Sequence, residues 1–247
     1  MKINCFVVGP IYTNCYVVSC DQTRQAVVID PGFTDTTDGA EVLQKIKNME
    51  VKYIIITHGH FDHTSGITVL KKETGAEILV HEKDADLLPE PWKGISEIIS
   101  KGEQPPCPAC GSLSVHLTIT ADNKKANVKC DNCGLSIEFL SSPPADIMLK
   151  DGDSIEFGNC KLQVIHTPGH SMGGISLYSE EENTLFSGDT LFAGSIGRTD
   201  IFRSSFDEII SSLKNKLMKL PDKTVVYPGH GDTTTIGRER KTNPHLV

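Results

Sequence analysis

The sequence has no apolar stretch near the roughly 20 residues that a helix needs to span a bilayer. Its N-terminal stretch, MKINCFVVGPIYTNCYVV, lacks the basic and then apolar layout of a secretory signal. Both absences argue against a membrane or secreted protein, so we expect a cytoplasmic one. Positive charge is also in deficit, because 24 lysines and arginines face 32 aspartates and glutamates, for a formal net charge of -8. That balance disfavours a nucleic-acid-binding surface.

The sequence also lacks a G-x-S-x-G motif, which marks the nucleophilic serine of one large class of hydrolases. Cysteine is abundant by contrast, with eight in 247 residues. Four cysteines form two close pairs, and the four isolated ones are Cys5, Cys15, Cys20 and Cys160. In a reducing compartment, close pairs usually bind a metal and isolated cysteines are usually small core residues. We therefore expect the isolated four to lie in the core.

Strand-like and helix-like patterns alternate along the first third of the chain. Runs rich in β-branched residues predict strands at 15–19, 26–29, 51–57 and 76–80. Helical spacing of apolar residues predicts helices at 39–49, 66–73 and 81–88. Strands resume at 154–157, 161–165, 175–178, 184–186 and 224–227, with a helix at 206–220. This alternation favours an α/β sandwich over an all-β fold.

Four ligand-type side chains follow the predicted buried strand that ends at Thr57. They are His58, His60, Asp62 and His63. Imidazole nitrogens and carboxylate oxygens are ligands for zinc, iron and manganese. One histidine alone is more often structural than a ligand, and we expect the scattered His81, His116, His166 and His245 to be structural or surface residues. Four such side chains in six positions, directly after a stiff strand, predict a metal site.

Three later segments repeat the arrangement of a β-rich run, a glycine-containing turn and one ligand-type residue. The turns present His170 in HTPGH, Asp189 in SGDT and His230 in PGHG. Loops at strand ends, held by a rigid sheet, concentrate binding and catalytic residues. Each turn alone is a weak signal. Together with the first motif, the three turns supply enough ligands for two metal ions.

These motifs, in this order and at this spacing, resemble those of the metallo-β-lactamase fold superfamily over essentially the whole chain apart from the cysteine-rich segment. The resemblance implies an α/β fold, a four-layered αββα sandwich. It also implies two catalytic metal ions, one held by His58, His60 and His170, the other by Asp62, His63 and His230, with Asp189 bridging them. Asp30, in the turn IDPG, resembles the superfamily's aspartate that orients a metal-bound histidine. An equal alternative is that Asp30 only forms a turn before Pro31 and Gly32.

Within that superfamily, the stretch GSIGRTD at 194–200 and the tail YPGHGDTTTIGRERKTNPHL resemble the glyoxalase II-related hydrolases. Lactamases proper tend to carry a cysteine where this chain has Asp189, and diiron flavoproteins of the fold typically have a glutamate where it has His60. The implied activity is hydrolysis of a thioester or related ester by a metal-bridging hydroxide, with zinc preferred and iron or manganese as alternatives. The catalytic residues would be His58, His60, His63 and Asp62, the last orienting the nucleophile.

The substrate is less constrained than the chemistry. Full glyoxalase II enzymes have a C-terminal helical region that helps to bind glutathione, whereas this chain ends seventeen residues after His230. The shorter tail argues against the usual recognition of glutathione, but the expected activity is still like that of a hydroxyacylglutathione hydrolase, on a small-molecule thioester or related ester. Candidate contacts for an anionic substrate are Arg198, Arg238, Arg240 and Lys241, which could equally anchor a loop or form a solvated helix face. A mononuclear-iron persulfide dioxygenase, a phosphodiesterase of the same fold and a non-enzymatic scaffold remain alternatives.

The segment 101–142 contains both cysteine pairs and interrupts the strand pattern. Cys107-x-x-Cys110 and Cys130-x-x-Cys133, with nineteen residues between them, have zinc-ribbon spacing, in which each pair forms a tight turn and a hairpin joins the pairs. We predict a zinc-ribbon-like insertion holding one structural zinc, or iron, within a discontinuous catalytic domain at 1–100 and 143–247. Its balanced charge favours a lid or a subunit interface, which leaves homo-oligomerisation open.

Overall fold

The computed structural model describes residues 1–107 and 109–247. Its helices are Ala40–Ile46 (α1), Phe61–Thr64 (α2), Ile67–Thr74 (α3), Lys93–Ser100 (α4), Phe206–Asn215 (α5) and Ile236–Thr242 (α6), with short 3-10 helices at Ala85–Leu87 and Leu217–Lys219. Strands up to residue 140 are Lys2–Val8 (β1), Thr13–Ser19 (β2), Gln25–Ile29 (β3), Glu50–Ile56 (β4), Glu77–His81 (β5), Val115–Ile119 (β6), Lys125–Cys130 (β7) and Ser136–Leu140 (β8). The later strands are Ile147–Leu149 (β9), Ser154–Phe157 (β10), Cys160–His166 (β11), Ile175–Ser179 (β12), Thr184–Gly188 (β13), Leu191–Phe192 (β14), Ser195–Ile196 (β15), Val225–Pro228 (β16) and Thr234–Thr235 (β17).

Two six-stranded sheets form the centre of the molecule. The first has the strand order β1-β2-β3-β4-β5-β9, in which β3, β4, β5 and β9 run parallel. The second has the order β10-β11-β12-β13-β16-β17, in which β13 and β16 are parallel neighbours. Parallel neighbours end at the same edge of their sheet. The turns that follow β3 and β4 in one sheet, and β13 and β16 in the other, are therefore neighbours in space.

The side chains of each sheet alternate between two apolar layers. On β4, Ile54 and Ile56 face a cluster that includes Val42 of α1 and Leu70 of α3, whereas Ile55 faces the second sheet. The outer face of the second sheet is covered by α5 and α6 through Ile209, Leu213 and Ile236. Both faces of the central strands are thus covered, whereas the outer faces of β1, β10 and β11 are partly exposed. This gives the order helix, sheet, sheet, helix. The α/β fold and the αββα sandwich implied by the sequence are confirmed. Among the described residues, none of the helices combines the length and the apolar character needed to cross a bilayer.

Most predicted strands are present with bounds that differ by one or two residues, but one predicted helix is wrong. The segment 81–88 was expected to be helical, whereas His81 ends β5 and a single 3-10 turn, Ala85–Leu87, follows. Prolines at 89 and 91 have no N–H for a continuing helix. The predicted helix at 206–220 ends at Asn215, and its last part is a separate 3-10 turn.

The cysteine-rich segment contains a three-stranded antiparallel sheet, β6-β7-β8. The β6–β7 hairpin lies between the two cysteine pairs, as the zinc-ribbon spacing predicts. The isolated cysteines divide: Cys15 and Cys20 are buried and Cys160 is half-buried, but Cys5 is exposed. The expectation of a core position is wrong for Cys5 because it lies on β1, an edge strand with one uncovered face.

Candidate metal centre

The first motif begins where β4 ends. His58 follows that strand by two residues, and His60, in an extended conformation, directly precedes α2. Asp62 and His63 therefore lie in a four-residue helix that turns them back toward His58. His58 and His63 are almost fully buried. A rigid strand on one side and a short helix on the other fix these four side chains.

The other three predicted ligands come from the second sheet. His170 lies in the loop after β11, Asp189 directly after β13, and His230 two residues after β16. Thr13 of β2 forms an isolated antiparallel bridge with His230, which ties that loop to the first sheet. The structure brings all seven predicted side chains together at one edge of the sandwich, and we refer to them as the His/Asp centre.

The ligand atoms of the His/Asp centre fall into three sets of three residues, within each of which the atoms lie no more than 4.8 Å apart. Two sets share no residue: the first ligand group is His58, His60 and His170, and the second ligand group is Asp62, His63 and His230. The third set joins Asp189 to one histidine of each group, His58 and His63. Asp189 lies between the groups, because its Oδ2 is 3.5 Å from Nε2 of His170 and 3.6 Å from Nε2 of His230. This geometry suits a carboxylate shared by two cations.

The polar atoms of the centre fit a metal. Within the described residues, Nε2 of His58, Nε2 of His63 and Oδ1 of Asp189 are buried without a hydrogen-bond partner. Buried polar atoms are nearly always paired, because an unpaired one costs about 1–3 kcal/mol. Divalent cations would pair with all three atoms. Imidazole and carboxylate donors suit zinc, iron and manganese.

Asp30 supports the second ligand group from behind. Its Oδ2 is 3.0 Å from Nδ1 of His63. The backbone N–H and the hydroxyl of Thr57 donate to the two oxygens of Asp30, at 2.8 and 2.7 Å. The carboxylate thus lies against Nδ1 of His63 and leaves Nε2 toward the ligand group, the arrangement in which a carboxylate orients a metal-binding histidine. Asp30 therefore has a positioning contact in addition to its place in a turn.

The first ligand group has comparable support. Nδ1 of His170 is 2.9 Å from the carbonyl oxygen of Arg198, so this nitrogen donates and Nε2 faces the group. Nδ1 of His58 is 3.1 Å from the hydroxyl oxygen of Thr57, which already donates to Asp30 and so accepts from the ring. His60 contributes the nitrogen Nδ1, which lies 2.9 Å from Nε2 of His170.

The protonation of the centre favours cation binding. Burial lowers the pKa of His58, and it lowers that of His60 to about 3, with the neighbouring imidazoles adding to both shifts. Burial alone would raise the pKa of Asp189, but the charge of His63 outweighs it and the pKa is lowered. Neutral imidazoles beside ionised carboxylates are what a divalent cation requires. Around His63, the nearby carboxylates outweigh burial and raise the pKa, so a proton and a cation compete for that ring.

Close packing leaves no space for a side chain at Gly229. A Cβ atom built there would lie 2.1 Å from Oδ1 of Asp189 and 2.8 Å from the ring of His63. The glycine of the GHG turn is therefore required by the approach of the chain to the shared carboxylate.

Asp84 is a positioning residue that the sequence did not reveal. It is fully buried, and its two oxygens accept from the backbone N–H of Gly59 at 3.0 Å and of Gly173 at 2.8 Å. Gly59 lies between His58 and His60, and Gly173 is three residues after His170. One carboxylate therefore joins the two loops that carry the first ligand group.

A second buried carboxylate, Glu239 of α6, also went unpredicted. It accepts from the backbone N–H of Gly194 and from the side chain of Asn243, both at 2.9 Å, and from the hydroxyl of Thr234. Asn243 donates in turn to the carbonyl oxygen of Ser195. These contacts hold the β14–β15 hairpin, which begins two residues after Asp189. A solvated helix face was one alternative for the cations of this segment, and Glu239, which is buried, does not lie on such a face.

The four basic residues considered as contacts for an anionic substrate lie in different places. Arg198 forms two hydrogen bonds with Asp200, at 2.8 and 2.9 Å, beside the His/Asp centre. Arg240 donates to the carbonyl oxygens of Met218 and Leu220, so it anchors α6 to the preceding turn. Arg238 and Lys241 are exposed on α6. Of the four, Arg198 alone has a backbone contact with a member of the centre.

The remaining histidines lie outside the His/Asp centre, as expected. The rings of His81 and His166 stack with a centroid distance of 4.1 Å and an interplanar angle of 8°. His116 pairs with Asp131 on the surface at 2.7 Å. His245 is exposed near the C-terminus.

The four paired cysteines form a separate cluster. The Sγ atoms of Cys107 and Cys133 are 3.7 Å apart, and those of Cys110 and Cys130 are 3.8 Å apart. Four thiolates around one zinc ion at about 2.3 Å would be separated by about 3.8 Å. The backbone N–H of Gly111, one residue after Cys110, donates to the carbonyl oxygen of Cys107 and closes a tight turn. We refer to this cluster as the four-cysteine site.

Sequence comparison places the chain among metal-dependent enzymes. A family model described as the Metallo-beta-lactamase superfamily matches residues 8–230. A protein of Aquifex aeolicus is 33% identical, with 99% of this chain and 96% of that protein covered. The hydroxyacylglutathione hydrolase GloC of Haemophilus influenzae is 29% identical, with 100% of this chain and 98% of GloC covered.

Structure comparison agrees with these relationships. The BLEG-1 B3 metallo-beta-lactamase superposes with a TM-score of 0.77 and 30% identity, covering 100% of both chains. The protein TTHA1623, in a di-iron-bound form, superposes with a TM-score of 0.72 and 29% identity, covering 98% of this chain and 100% of its own.

Proposed function

Since the chain belongs to the Metallo-beta-lactamase superfamily, we propose that it is a dinuclear metallohydrolase that cleaves a thioester or related ester, in the manner of hydroxyacylglutathione hydrolases. His58, His60 and His170 would hold one ion, Asp62, His63 and His230 the other, with Asp189 shared. The observation that carries the proposal is the position of the Asp189 carboxylate between two complete ligand groups. The di-iron-bound form of TTHA1623 supports two ions in this fold.

The proposed chemistry divides between the ions and the chain. When bound, two metal ions lower the pKa of water toward about 7 and polarise a carbonyl oxygen. Oδ2 of Asp62 lies 3.2 Å from Nε2 of His230, in the second ligand group, which leaves its other oxygen to accept a hydrogen bond from the attacking water. Asp30 and Asp84 hold the ligand-bearing loops, so the donors are aligned before the substrate arrives. The chain therefore needs no covalent nucleophile.

A thioester is favoured by the relative GloC. The alignment covers 98% of that hydroxyacylglutathione hydrolase and 100% of this chain. A glutathione thioester therefore belongs among the proposed substrates. Arg198, beside the centre, is the candidate contact for an anionic group of the substrate.

The likeness to BLEG-1 introduces a second candidate, hydrolysis of a β-lactam. Both reactions add water to a carbonyl carbon, and both could use the same ligand groups. The leaving group differs, since a thioester releases a thiolate and a β-lactam opens to an amine. Only substrate turnover separates the two.

We further propose a zinc-ribbon-like insertion at 101–142 within a catalytic domain at 1–100 and 143–247, with one structural zinc or iron in the four-cysteine site. Zinc is the proposed catalytic metal, with iron or manganese as alternatives. A cytoplasmic location is consistent with eight free cysteines, because thiols persist in reducing compartments. The proposed partner is a small-molecule substrate.

The proposal is tested by metal analysis of the purified protein together with turnover of a substrate panel. The panel holds a hydroxyacylglutathione, a second thioester, a chromogenic β-lactam and, with an oxygen electrode, glutathione persulfide. We expect three metal ions per chain and thioester hydrolysis. Asp189→Asn, which removes a direct ligand, should lower metal affinity or activity by at least the 10- to 100-fold or so that loss of an orienting partner alone causes. Asp207→Asn, at an exposed position on α5, should change neither. A single catalytic iron with persulfide-dependent oxygen uptake would contradict the proposal.

A further inference from the structure

The apolar cluster of the four-cysteine insertion is shared with residues outside the insertion. Its buried residues, among them Cys107, Cys130 and Phe139, form one apolar cluster with Trp92, which precedes the insertion. Two side chains outside the insertion pack against this cluster, Ile95 of α4 and Phe61 of α2. The insertion is therefore built onto the catalytic domain, and one of its contacts is a residue inside the first metal-binding motif.

Phe61 is the point of contact with the motif. The centroids of its ring and the ring of Phe139 are 4.4 Å apart, at an interplanar angle of 58°. Phe61 stands between His60 of the first ligand group and Asp62 of the second. It is also the first residue of α2, a helix of four residues. A helix this short has little stability of its own, so the packing of its apolar side chain decides where it lies.

Hydrogen bonds join the end of β8 to the same region. The hydroxyl of Ser142 donates to the carbonyl oxygen of Thr64, the last residue of α2, at 3.2 Å. The backbone N–H of Ser142 donates to the carbonyl oxygen of Leu88 at 2.9 Å. Both ends of α2 are therefore held by residues that follow or belong to the third strand of the insertion.

A metal ion in the four-cysteine site would stabilise the segment that provides this support. About forty residues with three short strands are too few to form a stable core unaided, and such segments usually depend on a metal. Cys107 and Cys130 lie inside the shared cluster, whereas Cys110 and Cys133 are exposed. The ion would thus join a solvent-facing pair of thiolates to the buried layer that contacts Phe61.

We propose that metal binding at the four-cysteine site positions α2 through the contact of Phe139 with Phe61, and so raises the affinity of the His/Asp centre for its ions. The proposal rests on the proposed metal centre but on no particular substrate. Phe139 acts as a positioning residue, since it touches none of the ligands itself. Asp62 and His63 are the ligands most affected, because both lie on α2.

Cobalt(II) separates the two kinds of site, because thiolate coordination gives an intense charge-transfer band that histidine and carboxylate ligands do not. The double variant Cys110→Ser with Cys133→Ser removes the exposed thiols and spares the buried pair. We expect it to lose the charge-transfer band and to bind cobalt at the His/Asp centre about tenfold more weakly, or worse, as loss of an orienting partner does. Unchanged affinity at the His/Asp centre would overturn the proposal.

A second variant tests whether the coupling passes through the contact of Phe139 with Phe61. Phe139→Leu should keep the charge-transfer band yet weaken the His/Asp centre about tenfold. Ile137→Ala is the matched control, since Ile137 is buried in the same cluster two residues away on β8. We expect it to change the affinity less than about twofold, and an equal loss would exclude the Phe61 contact as the route.

If the double serine variant does not fold, a double-mutant cycle of Phe61→Leu and Phe139→Leu decides the matter. The two changes should be non-additive in cobalt affinity, and additive effects would refute the coupling. All readouts are metal affinities, so a failure of thioester turnover leaves the test intact.

Discussion

Asp84 holds two ligand-bearing loops with one side chain, so its removal should loosen both loops. Asp84→Ala leaves the backbone N–H groups of Gly59 and Gly173 buried without acceptors, at about 1–3 kcal/mol each. We expect the free energy of unfolding to fall by roughly 2–5 kcal/mol and the metal affinity of the His/Asp centre to fall about 10- to 100-fold. Urea denaturation and cobalt titration measure the two effects.

The matched control for that change is Asp86→Asn, two residues along the chain. Asp86 pairs with Arg203 and Lys93 at the surface, at 2.8 and 2.6 Å. A partly exposed pair of this kind contributes about 1 kcal/mol or less, and metal affinity should be unchanged. Normal metal binding by Asp84→Ala would show that the loops are held by other contacts.

Among single residues, the ligands were predictable and so was one support, Asp30, but the supports Asp84 and Glu239 were not. His58, His60, Asp62 and His63 stand out because four ligand types crowd into six positions, and the later turns share a strand-glycine-ligand pattern. Asp84 and Glu239 have no such signature, because a buried aspartate in a loop and a surface one look the same in one sequence. Their roles follow from main-chain N–H groups that are distant in the chain.

At the scale of elements, the stacked rings of His81 on β5 and His166 on β11 join the two sheets. Burial, with a further contribution from His166, lowers the pKa of His81 to about 4, against about 6.5 in an unfolded chain. The folded state therefore prefers the neutral ring, and this contribution to stability is complete above pH 6.5. It is lost as the pH falls toward 4 and is constant below that, with a total of at most about 3 kcal/mol.

His81→Phe keeps a ring and removes the titration. We expect unfolding free energies, measured by urea denaturation from pH 7 to pH 4, to fall less steeply for the variant than for the parent chain. Comparing the two slopes cancels the pH dependence of the metal centre, which both proteins share. Parallel slopes would mean that the ring of His81 titrates normally.

Helix α6 should depend on its buried carboxylate. Glu239→Ala leaves three hydrogen-bond donors without an acceptor, on Gly194, Asn243 and Thr234. We therefore expect the free energy of unfolding to fall by roughly 3–5 kcal/mol. Lys241→Ala, exposed on the same helix, should stay within about 0.5 kcal/mol of the parent. Thermal and urea unfolding check both values, and equal stability of the two variants would rule out the role given to Glu239.

Elements with a full apolar pattern were predicted well, and short ones were missed. The central strands of both sheets are buried on both faces, so continuous apolar runs such as VKYIIIT identify them. The four-residue helix α2 has no room for a helical period, so it could not be recognised. Helix α4 does carry Ile95, Ile98 and Ile99 at helical spacing, so its signal was present and was missed. The positions of both helices are set by tertiary contacts, chiefly those of Phe61 and Trp92.

At the scale of the molecule, metal ions would bind the two sheets together. The first sheet supplies the ligands that follow β4, and the second supplies His170, Asp189 and His230. An ion at a thousandfold excess over its dissociation constant stabilises a fold by about 4 kcal/mol. We therefore expect a chelator to lower the midpoint of thermal unfolding by about 10 °C or more per ion.

The single tryptophan makes that measurement more informative. Trp92 is buried in the cluster shared with the insertion, so its fluorescence reports on that region, while far-ultraviolet circular dichroism reports on the sandwich. We expect the two signals to change together in the metal-loaded protein. Two separate transitions would mean that the insertion unfolds on its own.

The αββα order was predictable from the family resemblance, and the separate character of 101–142 from its cysteines. The contact of the insertion with the metal motif was not predictable. It depends on one phenylalanine in each segment, 78 positions apart, and neither is unusual in its own sequence context.

Asp84 has one further consequence, for how such a site could evolve. Its hydrogen bonds to the site come from the N–H groups of two glycines and not from a ligand side chain. Glu239 likewise accepts from the N–H of Gly194. The positions of these loops thus depend on main-chain hydrogen bonds, whereas the metal preference of the site depends on the histidine and aspartate side chains that the loops carry. Ligands can then be exchanged one at a time without rebuilding the scaffold, so an engineer could redesign the chosen metal and leave the architecture as it is.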